Sequence, residues 1–160
     1  MRRPGRSILS SALVALFLSL LAAVSLRADE IFAREPLTIE RAHAEPLQFN
    51  VELALTAAQR EQGLMRRRMM GEKEGMLFDF GETRLVSMWM KNTILPLDML
   101  FMNEKGVITH IHENAVPFSE DIITSVDPIR YVLELNAGTV EKFAIHEGDV
   151  LRSAQIGNGK

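Results

Sequence analysis

The stretch that decides the fold lies in the second half of the chain and reads Leu97-Asp98-Met99-Leu100-Phe101-Met102-Asn103-Glu104-Lys105-Gly106-Val107-Ile108-Thr109-His110-Ile111-His112. Two runs rich in apolar and β-branched residues flank the four residues 103–106. Asn103 and Gly106 suit a tight loop because both residue types tolerate the backbone angles that reverse a chain. We therefore predict a β-hairpin with strands at 97–102 and 107–112.

Further short strands are predicted on both sides of this hairpin. Phe49, Val51, Leu53 and Leu55 alternate with polar or small residues, which is the period of a strand with one buried face. Other apolar runs, with turn residues between them, lie at 37–40, 76–80, 85–90, 129–135 and 150–151. Short strands at this spacing are typical of a mainly β sandwich or barrel.

Two short helices interrupt the predicted strands. Thr56 suits the position before a helix, and Gln59 three residues later completes a capping box, in which each side chain bonds the other residue's backbone. We predict a helix over 57–65, with the basic run Arg66–Arg68 at its C-terminal end. A second short helix is predicted to follow Thr139, its cap, and to end at Ile145.

The N-terminus has the order of a secretory signal peptide. Met1–Arg6 is basic, the segment Ile8–Leu26 is almost wholly apolar, and Ala28 suits the last position before a cut. Cleavage after Ser25 is an alternative, and an uncleaved membrane anchor is another. We predict a signal peptide at 1–28 and export to the periplasm or the extracellular space.

The exported part is one acidic domain without cysteine. After removal of residues 1–28, 132 residues are left, with 14 basic and 21 acidic side chains and a net charge of −7. We predict an N-terminal arm at 29–36 and a single β domain at 37–156. The negative charge argues against binding to nucleic acid. The absence of cysteine excludes disulfides, a thiol nucleophile and a thiolate metal site, and no membrane span is expected after leader cleavage.

Four segments and a late Gly148-Asp149 together resemble domain-of-unknown-function family 192 of bacteria and archaea. The segments are Glu61-Gln62-Gly63-Leu64-Met65-Arg66-Arg67, Gly75-Met76-Leu77-Phe78-Asp79-Phe80, Met88-Trp89-Met90-Lys91-Asn92-Thr93-Ile94-Leu95-Pro96-Leu97-Asp98-Met99 and Val132-Leu133-Glu134-Leu135-Asn136-Ala137-Gly138. The resemblance covers about residues 40–152. It implies an antiparallel, jelly-roll-like β sandwich with a little helix, and it implies no activity.

The candidate binding site centres on the segment Trp89 to Asp98. Polar groups with fixed directions beside a broad aromatic face, here Trp89 with Lys91 and Asn92, are typical of a site for a sugar or another small polar molecule. Asp98 could pair with Lys91 or Arg66 and hold it in place. The alternative is structural: Asn92 bonds the turn backbone, Asp98 makes a turn or an ion pair, and Trp89 lies in the core.

Glu134 is a second candidate because it lies in an otherwise apolar strand. If it points inward it needs a partner such as Arg66 or Lys91. If it points outward with Val132 it is an ordinary surface acid. An Arg–Glu pair in a cleft could bind a polar ligand or exchange protons with it, whereas an ion pair that only fixes the strand register is the plainer interpretation.

Two patterns raise the question of a metal. Met88 and Met90 share one face of a predicted strand and could bind Cu(I) through their thioethers, but methionine more often fills an irregular core. His110 and His112 also share a strand face, yet two ligands are fewer than a catalytic zinc site uses. We predict no metal and no cofactor.

These residues favour a small cell-envelope module that binds a polar small molecule or a saccharide. Its predicted site comprises Trp89, Lys91, Asn92 and Asp98, supported by Arg66 and Glu134. One alternative is an acid–base enzyme, a hydrolase or isomerase, that uses Asp98 or Glu134. Another is a structural or partner-interaction protein, and Cu(I) binding by methionine is a third. The absence of any nucleophile motif favours binding over catalysis.

Overall fold

Nine strands and two short helices make up residues 29–159, the part of the chain that the computed structural model describes. The strands are β1 (Arg34–Arg41), β2 (Ala44–Ala54), β3 (Glu74–Arg84), β4 (Ser87–Met88), β5 (Leu97–Met102), β6 (Ile108–Ala115), β7 (Ile123–Thr124), β8 (Ile129–Asn136) and β9 (Val150–Arg152). The helices are α1 (Ala57–Gln62) and α2 (Thr139–Phe143). No helix within this range is long and apolar enough to cross a membrane. The predicted signal peptide at 1–28 lies outside the described residues.

Seven strands form one mixed sheet in the order β6-β5-β8-β3-β2-β1-β9, and β4 pairs with β7 in a separate two-stranded ribbon. The mainly β prediction is confirmed. The sheet is not purely antiparallel, because β2 and β3 run parallel and α1 lies in the connection between them. An isolated bridge between Val107 and Val150 links the two ends of the strand order at one point.

The central strands are buried on both faces. On β5, Leu100 and Met102 pack into one apolar cluster with Leu133, whereas Met99 and Phe101 pack into a second cluster on the opposite face. All six residues of β5 are buried. Strands covered on both sides read as continuous apolar runs rather than as alternating ones, which explains the unbroken pattern at 97–102.

The predicted helix after β2 forms, but it is shorter than predicted. Thr56 and Gln59 make both hydrogen bonds of the capping box. The helix ends at Gln62 because Gly63 follows with a φ of 46° and breaks the helical path. The prediction that Arg66–Arg68 lie at the helix end is therefore wrong, since these residues follow in a separate loop.

The predicted strand at 85–90 also shrinks, to the two residues of β4. The reason lies at its end, where the N–H of Met90 donates to the carbonyl of Ser119 at 3.0 Å instead of pairing within the sheet. Its partner β7 has no counterpart among the predicted strands. In α2 the predicted cap is displaced by one residue, because Gly138 precedes the helix in a left-handed conformation and Thr139 is its first residue.

Candidate functional site

Residues 89–93 form a tight turn at the surface. The N–H of Thr93 donates to the carbonyl of Met90 at 3.0 Å, and Asn92 has a φ of 56°. A positive φ at the third residue of a four-residue turn is the signature of a type II turn, in which Asn and Gly are favoured. The turn buries Met90 and leaves Trp89, on the opposite side of the chain, 42% exposed.

The same turn is bonded to the loop that follows α1. The N–H of Arg66 donates to the carbonyl of Asn92 at 2.9 Å, and the amide nitrogen of Asn92 lies 3.9 Å from the sulfur of Met65. Arg66 has a left-handed backbone as well, with a φ of 61°. Non-glycine residues in this region cost conformational energy, so tertiary contacts hold both residues in place.

An open pocket of about 540 Å³ lies between α1, this loop and the turn. We call it the outer pocket. Four of the six predicted site residues line it: Arg66, Trp89, Lys91 and Asn92. The Nζ of Lys91 lies 5.2 Å from the centre of the Trp89 ring, which is within the range of a cation–π contact.

Sequence reasoning missed the wall of the outer pocket that α1 and the N-terminal arm provide. Gln62 and Met65 line it, as does Glu30, whose N–H donates to the side-chain carbonyl of Gln62 at 2.8 Å. Arg66 forms an exposed ion pair with Asp29 at 3.0 Å. The segment Glu61–Arg67, part of the family resemblance, was the signal that could have indicated this wall.

Asp98 does not line the outer pocket. It is fully buried, and its two oxygens accept backbone N–H groups of Asn114 at 2.9 Å and Val140 at 3.0 Å. The predicted pairing of Asp98 with Lys91 or Arg66 does not occur. Its carboxylate instead ties the end of β6 and the start of α2 to β5, as the structural alternative expected.

Glu134 points inward, but neither Arg66 nor Lys91 pairs with it. Its side chain lines a smaller space of about 90 Å³, which we call the inner cavity. Glu134 is only 4% exposed, and burial raises the pKa of its carboxyl to about 8. At neutral pH this group is therefore mostly protonated, so it can both donate and accept a hydrogen bond.

The residues considered for metal binding are placed differently. Met90 is buried in the core, whereas Met88 packs against the edge of the same cluster. His110 stacks on Phe101, with ring centres 5.8 Å apart, and its Nδ1 lies 3.4 Å from Glu147. Among residues 29–159 no three or more His, Asp or Glu side chains are grouped to share a metal ion.

The model of domain of unknown function 192, DUF192, described as an uncharacterized ACR, matches residues 38–153. The chain belongs to the DUF192 family. The matched region contains the turn at 89–93, α1 and Glu134, so the DUF192 domain itself builds most of both spaces.

Two solved structures are similar to this DUF192 chain. One comes from Sinorhizobium meliloti 1021 and is described as a candidate transcription regulator. Its sequence is 55% identical to this chain, and the two structures superpose with a TM-score of 0.77. The match covers 79% of this chain and 98% of that one. The other, from Novosphingobium aromaticivorans DSM 12444, is a protein of unknown function; it is 31% identical, with 78% and 94% covered and a TM-score of 0.73. No curated protein matches the chain.

Proposed function

We propose that this DUF192 protein is an exported binding module and that its outer pocket holds a small, uncharged polar molecule, with a saccharide as the favoured class. The observation that carries the proposal is the exposed Trp89 ring, which lines a 540 Å³ pocket together with Lys91 and Asn92. An aromatic ring beside a few polar side chains in a concave pocket is the usual composition of a small-molecule site.

The chemistry of the lining favours a neutral ligand. Sugars present an apolar face of C–H groups that stacks on an aromatic ring, and hydroxyls that bond to charged and amide side chains at the rim. Here the rim carries both signs of charge, positive from Lys91 and Arg66 and negative from Glu30. A mixed rim of this kind offers donors and acceptors without favouring an anion or a cation.

The description of the Sinorhizobium meliloti protein as a regulator of transcription does not transfer well to this chain. Residues 29–160 carry a net charge of −7. Binding to DNA draws most of its free energy from contacts between basic side chains and phosphates. The excess of acidic side chains in this chain therefore argues against a DNA-binding role.

Export is tested on the protein purified from cells that express the full chain. We expect an intact mass that lacks residues 1–28, or 1–25 if cleavage follows Ser25, and recovery in the periplasmic or secreted fraction. A full-length mass in the cytoplasmic fraction would contradict export while leaving the binding proposal open to its own test.

Binding is tested by calorimetric titration with a panel of neutral saccharides. Trp89→Ala is expected to weaken binding at least about tenfold, which is 1.4 kcal/mol of binding free energy. Leu85→Ala is the matched control, since Leu85 is 59% exposed and lines neither space. Equal affinity of Trp89→Ala and the unmodified protein would contradict this placement of the site.

One observation favours a second function, acid–base catalysis on the same ligand. The buried, protonated Glu134 has the properties of a general acid. Asp98 cannot be its partner base, because both of its oxygens are held by backbone amides. Neutral p-nitrophenyl glycosides test this second function. If the protein releases p-nitrophenol from them and Glu134→Gln abolishes the release, the result supports an enzyme. If the protein binds the glycosides without releasing p-nitrophenol, the result supports a binding module.

A further inference from the structure

Glu134 differs from every other buried acid in residues 29–159. Four of the five have hydrogen-bond partners, and Glu134 has none; the four are Glu52, Asp79, Asp98 and Asp149. Asp79 shows the contrast best. Burial raises its pKa, but hydrogen bonds from Arg130, Gly81 and Gln155 outweigh burial and lower the pKa below its ordinary value.

The position of Glu134 explains why it is buried without a partner. It lies on β8 between Met76 of β3 and Met99 of β5, so the strands on both sides present apolar side chains. In the described range no side-chain nitrogen or oxygen is both sealed from solvent and without a hydrogen bond. The carboxyl oxygens of Glu134 therefore have an open side, and the space that Glu134 lines is the inner cavity.

The inner cavity adjoins the outer pocket. Four residues line both spaces: Glu61, Gln62, Met65 and Trp89. The cavity has a volume of about 90 Å³, which is more than one water molecule needs. It therefore has room for a functional group of a ligand whose ring lies against Trp89.

The other titratable groups of the inner cavity come from α1, namely Arg60 and Glu61. The guanidinium of Arg60 donates to the carbonyl of Asp79 at 2.8 Å and lies over the Phe80 ring, 5.6 Å from its centre. It forms no ion pair with Glu134. Burial alone accounts for the raised pKa of Glu134, so its carboxyl has no neighbouring charge that would favour ionisation.

We propose that the inner cavity is a specificity subsite, in which the carboxyl of Glu134 exchanges hydrogen bonds with one uncharged group of the ligand, a hydroxyl or an acetamido group. The inference rests on the proposed function, because the outer pocket must hold the rest of a saccharide. The inference adds to the proposed function that the carboxyl of Glu134 is the group by which the site distinguishes one sugar from another.

An uncharged group fits the cavity better than a charged one. A neutral carboxyl offers one O–H donor and one carbonyl acceptor, and both can bond to a hydroxyl or an amide without any buried charge. A ligand ammonium would require ionisation of Glu134 and desolvation of both charges, a cost that the attraction within a buried pair only about balances. A ligand carboxylate would add a second acid without a counter-ion.

The test uses the protein purified from cells that express the full chain, and two probes with the same ring: N-acetylglucosamine, which has an acetamido group, and glucosamine, which has an ammonium at pH 6. Trp89 fluorescence reports on both spaces. The NMR signal of the Met88 methyl group reports on the inner cavity, because Met88 lines that cavity and not the outer pocket.

We expect N-acetylglucosamine to shift both signals and to bind at least about tenfold more tightly than glucosamine. Glu134→Gln keeps a donor and an acceptor of the same shape, so it should bind within about threefold of the unmodified protein. Glu134→Leu lacks both and should bind at least about tenfold more weakly. From pH 6 to pH 9 the affinity of the unmodified protein should fall, while that of Glu134→Gln stays constant.

The outcomes separate this inference from the proposed function. If Trp89 responds to N-acetylglucosamine while Met88 does not, and both Glu134 variants bind normally, the subsite is wrong and the outer pocket stands. If glucosamine binds more tightly than N-acetylglucosamine at pH 6, where its amino group is an ammonium, the group is cationic and the inference is overturned. If neither signal responds to either sugar, the proposed saccharide function fails and this inference fails with it.

Discussion

The backbone N–H of Arg66 donates a 2.9 Å hydrogen bond to the carbonyl of Asn92, and both residues have left-handed backbone conformations. This bond joins the loop after α1 to the turn that carries Trp89 and Lys91. Both segments line the outer pocket. Strained residues of this kind concentrate at functional sites, where the surrounding structure holds them in place.

Substitutions at Asn92 should separate its backbone role from its side-chain role. Asn92→Ala is expected to lower the free energy of unfolding by about 1 kcal/mol, because alanine disfavours a φ of 56°. Asn92→Gly should be about as stable as the unmodified protein. If the side chain also contacts a sugar, Asn92→Gly binds more weakly although it folds normally. Urea denaturation and calorimetric titration measure the two effects, and an equally stable Asn92→Ala would contradict the backbone role.

Asp98→Asn should damage the fold and leave the pocket unchanged. The variant replaces one acceptor oxygen by an NH₂ group, which faces the backbone N–H of Asn114 or Val140 in place of the present bond. Loss of a charged hydrogen bond together with an unsatisfied buried donor costs about 2–4 kcal/mol of unfolding free energy. Denaturation curves measure this loss.

The matched comparison for Asp98→Asn is Asp121→Asn, since Asp121 is exposed and bonds only within its own loop. That variant should be as stable as the unmodified protein. A folded Asp98→Asn with weakened saccharide binding and normal stability would restore Asp98 to the site.

The stability of the protein should depend on pH through Glu134. Its pKa is 4.5 in the unfolded chain and about 8 in the folded protein. Between these values the folded state retains a proton that the unfolded state has lost, so the free energy of unfolding falls as pH rises. The slope is up to about 1.4 kcal/mol per pH unit, and it disappears below 4.5 and above 8.

Glu134→Gln should remove this slope. We expect the variant to gain stability relative to the unmodified protein as the pH is raised from 5 to about 8, measured by urea denaturation across the range. The exposed Glu113→Gln is the control and should follow the unmodified protein. Parallel curves for Glu134→Gln and the unmodified protein would show that the carboxyl is not shielded from solvent.

The elements predictable from sequence were those with a local cause. The capping box of Thr56 and Gln59 forms because both hydrogen bonds join residues three apart. The hairpin strands at 97–102 and from 108 onward form because apolar runs flank a loop with Asn and Gly. The ribbon partner of β4 was not predicted, since Ile123 and Thr124 follow no strand pattern and pair with residues 35 and 37 positions earlier in the chain.

The candidate site was predictable only in part, because only some of its residues are brought together by local structure. A single turn carries Trp89, Lys91 and Asn92, which lie within four residues of one another, so a local pattern brings them to the same pocket. The partners of Asp98 and the surroundings of Glu134 depend on which strands meet in the sheet, and no local pattern encodes that. Both acids were therefore expected near Lys91 or Arg66, whereas Asp98 bonds to backbone groups and Glu134 faces a cavity of its own.

Lys91 should contribute to binding through its position over the Trp89 ring. Lys91→Ala removes a cation–π contact and a hydrogen-bond donor at the rim, and we expect saccharide affinity to fall about threefold to tenfold. Lys105→Ala is the matched control, because Lys105 lies in the hairpin loop outside the pocket. Equal losses in both variants would indicate a general effect of net charge rather than a contact.

The most direct test of the central claim uses the fluorescence of Trp89, because the chain has one tryptophan and it lines the pocket. Neutral saccharides are titrated into the folded protein, beginning with N-acetylglucosamine. The account predicts a saturable change in the emission, with a dissociation constant of about 1 mM or lower. Emission that stays constant for every saccharide, in a protein shown to be folded, would contradict the claim that this pocket binds a sugar.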